Sequence, residues 1–83
     1  MRVLYFASIR ELFDCDGEQI ELEPNITTVQ GLIDSLCNVH DERWAKALGD
    51  PNLLVSINQE IASLDAVITN ADEIAFFPPV TGG

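Results

Sequence analysis

Apolar and polar residues change their period several times along this chain, and each change marks an element. Arg2 to Ala7 (RVLYFA) is apolar at consecutive positions. That pattern suits a central strand, covered by a helix on one face and by a partner on the other. Ser8 to Phe13 follows with no turn residue. It reads as one or two helical turns, with Ser8 as N-cap and Glu11 at the capping-box position. Asp14-Cys15-Asp16-Gly17 is a turn. Glu18 to Glu23 (EQIELE) then alternates, with Ile20 and Leu22 inward and Gln19, Glu21 and Glu23 outward. Alternation with charge on the outer positions predicts an edge strand.

A helical period takes over after Pro24. Val29, Leu32, Ile33, Leu36 and Cys37 recur at i, i+3, i+4, i+7 and i+8, one apolar stripe. Thr27 and Gln30 have capping-box spacing at its start. Gly31 lowers helix stability by about 1 kcal/mol relative to Ala, unless close packing requires it. Asp41 to Leu48 reads as a short helix packing through Trp44, Ala47 and Leu48, and Gly49-Asp50-Pro51-Asn52 is a turn cluster. Leu53 to Ile57 is a strand, Asn58-Gln59 a tight hairpin, and Glu60-Ile61-Ala62 its return. Ala66 to Ile68 is loop, Asn70-Ala71-Asp72 a turn, and Glu73 to Phe77 (EIAFF) the last strand.

The predicted order is β, short α, β, α, short α, β, β, β. Crossover rules place the last strand beside the first and parallel to it. The outcome is an α+β domain of the β-grasp, or ubiquitin-like, kind: a mixed sheet of about five strands on one main helix. Residues 1–77 form the domain and residues 78–83 a C-terminal tail.

Charge narrows the partners. The 83 residues carry 14 acidic and 4 basic side chains, a formal net charge of −10. Nucleic acid and anionic membranes both demand a basic surface, so neither is an expected partner. A basic protein partner is favoured. No apolar run reaches membrane-spanning length, and the first segment lacks a signal peptide's pattern, so a cytoplasmic location is expected. Cys15 and Cys37 form no C-x-x-C, and His40 cannot complete a zinc set with them, so no metal site is expected. Cys37 lies on the apolar stripe as an inert buried thiol, and His40 near a helix end is expected to face solvent or the helix dipole.

The chain's chemistry is concentrated in its last eight residues, Phe76-Phe77-Pro78-Pro79-Val80-Thr81-Gly82-Gly83. Two prolines lack N–H groups and end the strand's pairing. From Pro78 onward the chain spans roughly 20 Å when extended, at about 3.3 Å per residue. Gly82 and Gly83 have no Cβ, so they pass through a narrow channel in any backbone geometry. The reactive group at the end is the Gly83 carboxylate. Adenylation makes its carbon attackable, and a sulfur donor then converts it to a thiocarboxylate. Phe77 and Pro78 sit where the strand leaves the sheet. Ala75 and Phe77 point opposite to Ile74 and Phe76, so one pair faces away from the helix. Phe77 either meets a partner there or completes the core.

With that tail, the chain resembles the small subunits of molybdopterin synthase, within the ubiquitin-like sulfur carriers. The match covers the whole length. It rests on the Phe-Phe-Pro-Pro approach to Gly-Gly, on Ala7-x-x-Arg10-Glu11-Leu12, on Asn58, and on Asp72-Glu73-Ile74-Ala75. Asp14 and Ala71 stand where such carriers often have Gly.

The resemblance implies an ATP-dependent, ubiquitin-activating-like adenylyltransferase that charges Gly83, and a large synthase subunit that receives the tail. Val80, Thr81 and Gly82 would lie in that subunit's active site, with Phe77, Pro78 and Pro79 at the interface. Sulfur would pass to cyclic pyranopterin monophosphate to build the dithiolene of molybdenum cofactor. The assembly would be a heterotetramer of two small and two large subunits. ATP is used by the activating partner, and the carrier itself binds no cofactor. Carriers that serve thiamine thiazole synthesis, and protein modifiers joined through Gly83 to lysine amines, share the same tail. A plain interaction domain with an inert tail is a further reading.

Overall fold

The consecutive apolar residues at the start of the chain do form a central strand. The computed structural model, which describes residues 1–79, contains β1 (Arg2–Tyr5), α1 (Ala7–Phe13), β2 (Gly17–Gln19), α2 (Val29–Val39), α3 (Glu42–Leu48), β3 (Leu54–Ile57), β4 (Glu60–Ala62) and β5 (Glu73–Phe77). The sheet order is β2-β1-β5-β3-β4. β1 and β5 run parallel at its centre, Arg2 opposite Glu73 through Tyr5 opposite Phe76. The other pairings are antiparallel. This is the mixed β-grasp sheet that the order of elements predicts.

The core lies between the sheet and the helices. Val3, Val29, Ile74 and Phe76 are fully buried, and Tyr5 and Leu32 nearly so. The stripe on α2 behaves as its period requires: Val29, Leu32, Ile33 and Leu36 are buried and Cys37 packs half-buried against them. Trp44 and Leu48 seat α3, and Ile9 and Phe13 seat α1.

Four local expectations are corrected. First, Ser8 is not a cap. Phe6 is the N-cap of α1, with no side-chain hydrogen bond, because Ala7 takes a positive φ of 53° and turns the chain into the helix two residues early. Second, Thr28 rather than Thr27 caps α2, its Oγ1 accepting the Gly31 N–H at 3.2 Å. Bridging of Thr28 to Val67 fixes which threonine reaches the helix end. Third, β2 covers only Gly17–Gln19. Arg2 pairs with Gln19, and Met1 exchanges both backbone bonds with Ile20 at 2.8 and 2.9 Å. Beyond Ile20 the chain leaves the sheet, and the Leu22 N–H donates to the Asn70 side-chain Oδ1 at 2.7 Å. Ile20 and Leu22 still pack on the core. Fourth, packing does not require Gly31: a Cβ there meets Ile26 and Thr28 only at 3.5 Å, ordinary contact. Packing does demand a glycine at 17, where a Cβ would fall 2.8 Å from the Val3 carbonyl oxygen, and at 49, where it would fall 2.6 Å from the Ala45 carbonyl oxygen.

Candidate functional site

The site is built where β5 leaves the sheet. Its approach is anchored from behind by Asn58. That residue and Gln59 form the β3–β4 turn with positive φ of 51° and 72°, the geometry of a tight hairpin. The Asn58 Nδ2 donates to the Asp72 carboxylate at 2.8 Å, and its Oδ1 accepts the Glu73 N–H at 3.0 Å. The Asn58 backbone N–H donates to the Glu73 carbonyl at 2.8 Å. The Asn58 amide, then the Thr69 N–H, hold the Asp72 carboxyl below the usual carboxylate range. A hairpin tip is thereby tied to the first residue of β5, which sets that strand's register.

Along β5 the side chains part. Ile74 and Phe76 enter the core with no exposure. Ala75 and Phe77 take the opposite face. Phe77 does not complete the core: it stacks on Phe6, centroids 4.8 Å apart and planes within 5°. A straight row crosses this outer face, because Ile61 is opposite Ser56, Ser56 opposite Ala75, and Ala75 opposite Leu4. These residues line an open depression of about 400 Å³ together with Phe6 and Phe77. Ile61 is 72% exposed and Phe6 36%. The outer face is therefore an apolar surface with its aromatic pair at the strand exit. The consecutive apolar residues of the first strand have their explanation here, since Leu4 and Phe6 belong to this surface and Val3 and Tyr5 to the core.

Pro78 and Pro79, both half-buried, continue from Phe77. They border a second groove of about 370 Å³, walled by Ile9 and Leu12 of α1 and Lys46 and Ala47 of α3. The expected tail residues Val80, Thr81, Gly82 and Gly83 lie outside the described residues.

Of the expected interface residues, Phe77, Pro78 and Pro79 lie where β5 leaves the sheet, and one further residue has contacts the linear pattern hid. His40 is not a solvent-facing helix end. It stacks on Trp44 with centroids 4.1 Å apart and approaches Glu18 at 3.6 Å. Nothing in local spacing links positions 18, 40 and 44. The two cysteines are free and half-buried. Burial, then the nearby Asp34 carboxylate, pushes the Cys37 thiol up, which suits an inert thiol. Among the described residues no group of three His, Cys, Asp or Glu side chains is placed to hold a metal ion. No described helix is long and apolar enough to cross a membrane.

Comparison with known proteins agrees with this geometry. The ThiS family profile matches residues 3–83. The chain belongs to the ThiS family. Within reach of that family, it is 42% identical over 83 residues to the molybdopterin synthase sulfur carrier subunit of Escherichia coli (strain K12), covering all of this chain and 99% of the relative. It is 46% identical, with the same coverage, to the protein of that name in Haemophilus influenzae. Among solved structures, SAMP1 from Haloferax volcanii superposes with a TM-score of 0.80 at 28% identity, over 100% of this chain and 98% of that one. The two positions that depart from the glycine pattern of such carriers are now explained. Asp14 is left-handed, with φ 51° and ψ 41° at the C-cap of α1, a conformation Asp tolerates. Ala71 has no positive φ, so its turn needs no glycine.

Proposed function

We propose that this chain is the sulfur carrier subunit of a molybdopterin synthase and that its working group is the Gly83 carboxylate. The observation that carries the reading is the exit of β5. The strand ends beside an apolar, aromatic-edged face at Phe77, and the chain passes at once into Pro78-Pro79, two residues short of Gly82-Gly83. The relatives' names support the pathway. Residues 1–77 are the body that docks, and residues 78–83 the arm that delivers.

The chemistry follows from what the arm lacks. A carboxylate is a poor electrophile, and the described surface offers no metal set to activate it. An ATP-dependent adenylyltransferase partner therefore joins Gly83 to AMP, releasing pyrophosphate. A sulfur donor displaces AMP and leaves a thiocarboxylate. ATP belongs to that partner, and the carrier holds no cofactor. The large synthase subunit then receives Val80, Thr81, Gly82 and Gly83 in its active site. Phe77, Pro78 and Pro79, with Phe6 beside them, contact that subunit's surface. Sulfur passes to cyclic pyranopterin monophosphate and Gly83 returns as a carboxylate, so each dithiolene consumes two charged carriers. The cycle runs in the cytoplasm.

The test is to supply the purified protein with the activating enzyme, ATP and a sulfur donor, then fragment its C-terminal peptide by mass spectrometry. Sulfur replacing one oxygen on Gly83 is the expected result. An unmodified tail overturns the reading. Gly83 found instead in an amide bond to lysine side chains makes the chain a protein modifier.

A further inference from the structure

Trp44 is held between two flat rings. Phe13 of α1 lies 3.6 Å from it, centroid to centroid, with planes within 6°. His40, the C-cap of α2, lies 4.1 Å away with planes within 16°. Two rings that close and that parallel cannot share one face of the indole, so each covers its own. The Nε2 of His40 is buried and makes no hydrogen bond. Glu18 Oε2, on the edge strand β2, stands 3.6 Å from it, too long for a hydrogen bond and within ion-pair reach. That same oxygen accepts the Tyr5 hydroxyl at 3.1 Å. Burial pushes the Tyr5 phenol well above its ordinary range, so Tyr5 donates at every working pH.

The charged and titratable groups around the imidazole decide which form it favours. Glu18 faces it from β2, with the neutral Tyr5 behind on β1. Asp41, the next residue, is the N-cap of α3. The end of α2 has no basic residue in its last turn, so its partial negative charge is uncompensated. These three negative features face the imidazole. The opposing group is Arg43, whose guanidinium carbon is 5.7 Å from the Trp44 ring centroid. Its Nη2 pairs with Asp41 Oδ2 at 2.8 Å, and its Nε donates to both oxygens of that carboxylate at 3.1 Å, so much of its field is answered locally. A neutral imidazole leaves Nε2 buried without a good partner, which is unfavourable. A protonated one gains an N–H donor aimed at Glu18 and places its charge on the indole face.

We propose that His40 and Glu18 form a proton-operated latch: one proton taken up at His40 closes an ion pair to Glu18 and clamps Trp44, tying the α2–α3 junction to the edge strand. The latch reaches further through the stack. Phe13 and Trp44 join α1 to α3, the helices whose Ile9, Leu12, Lys46 and Ala47 wall the groove beside Pro78 and Pro79. It stands whether or not the tail carries sulfur.

Full-length wild type, His40→Phe, Glu18→Gln and the double variant are unfolded thermally at two pH values. Phe keeps the stack on Trp44, and Gln keeps an acceptor for Tyr5. The first pH lies between about 4.3 and about 6.5, where a carboxylate is ionised and an ordinary imidazole protonated; the second lies well above. At the lower pH each single variant is expected to lose the same interaction, so the double variant's midpoint falls no further than the lower single. At the higher pH the two losses add. The protein has one tryptophan, and its emission is expected to drop on acidification in wild type and not in His40→Phe. Additive losses at both pH values, or an emission change retained in His40→Phe, overturn the latch. Should the variants not fold, wild type alone decides by NMR. The indole N–H resonance must move over the same pH range as the His40 ring protons, and a static indole resonance overturns the proposal.

Discussion

Two aromatic pairs sit one residue apart where β1 and β5 end, and they have opposite fates. Tyr5 and Phe76 stack inside the sheet, centroids 6.1 Å apart and planes within 15°, at 1% and 0% exposure. Phe6 and Phe77 stack outside, 4.8 Å apart and within 5°, with Phe6 exposed and Phe77 half-buried. The residue types are alike and the strand pairing is continuous. What differs is the face, set by the two-residue period of a strand. The inner pair holds α1, through Phe13, and α3, through Trp44, on the sheet. Among the described residues the outer pair stacks on no third ring, although the Phe6 backbone caps α1. On the proposed function, this aromatic contact and the apolar surface beside it are what the domain offers to the large subunit.

Substitution separates the pairs most sharply at β5. Phe76→Ala empties a fully buried site and is expected to destabilise the fold by about 3–5 kcal/mol. At about 4–8 °C per kcal/mol for a domain this size, the thermal midpoint followed by circular dichroism should fall by more than about 12 °C. A fall no larger than that of Phe77→Ala would erase the distinction between the faces.

Phe77→Ala should show the reverse profile. Its stability loss stays near the ~0.5–1.5 kcal/mol of one aromatic pair. Its affinity for the large synthase subunit, measured by calorimetry, should fall by about thirtyfold, the size of a roughly 2 kcal/mol interface anchor. Unchanged affinity would mean that the outer face is not the docking surface.

The smallest effect tests the helix covering the inner face. Gly31→Ala adds a methyl where ordinary contact distance is available. Urea unfolding should show a gain of up to about 1 kcal/mol from helix propensity, with docking unaltered. A loss would mean that the Ile26 and Thr28 contacts cannot accept it.

Much of this was legible in the linear chain. The apolar stripe of α2, the turn clusters, the hairpin at Asn58-Gln59 and the parallel return of β5 follow from local periods and crossover handedness, which act over short stretches. The Pro-Pro stop and Gly-Gly end are likewise covalent facts that no fold alters. Where reading failed, the missing term was always a partner distant in sequence. The edge strand stops at Gln19, and the Leu22 N–H beyond it goes to the side chain of Asn70, far along the chain. Thr28 takes the cap because Val67 holds it.

The sequence by itself therefore determined most of the elements, their order and the Pro-Pro step ahead of Gly82-Gly83, since propensity, period and covalent structure are local properties. The tertiary structure alone decided that Phe77 faces outward onto Phe6, that Asn58 pins the start of β5, and that Glu18, His40 and Trp44 meet. The last three come from three elements, 22 and 4 positions apart in the chain. Only packing against a common sheet brings such residues within reach, because no local rule carries information about which side chains a fold will set face to face.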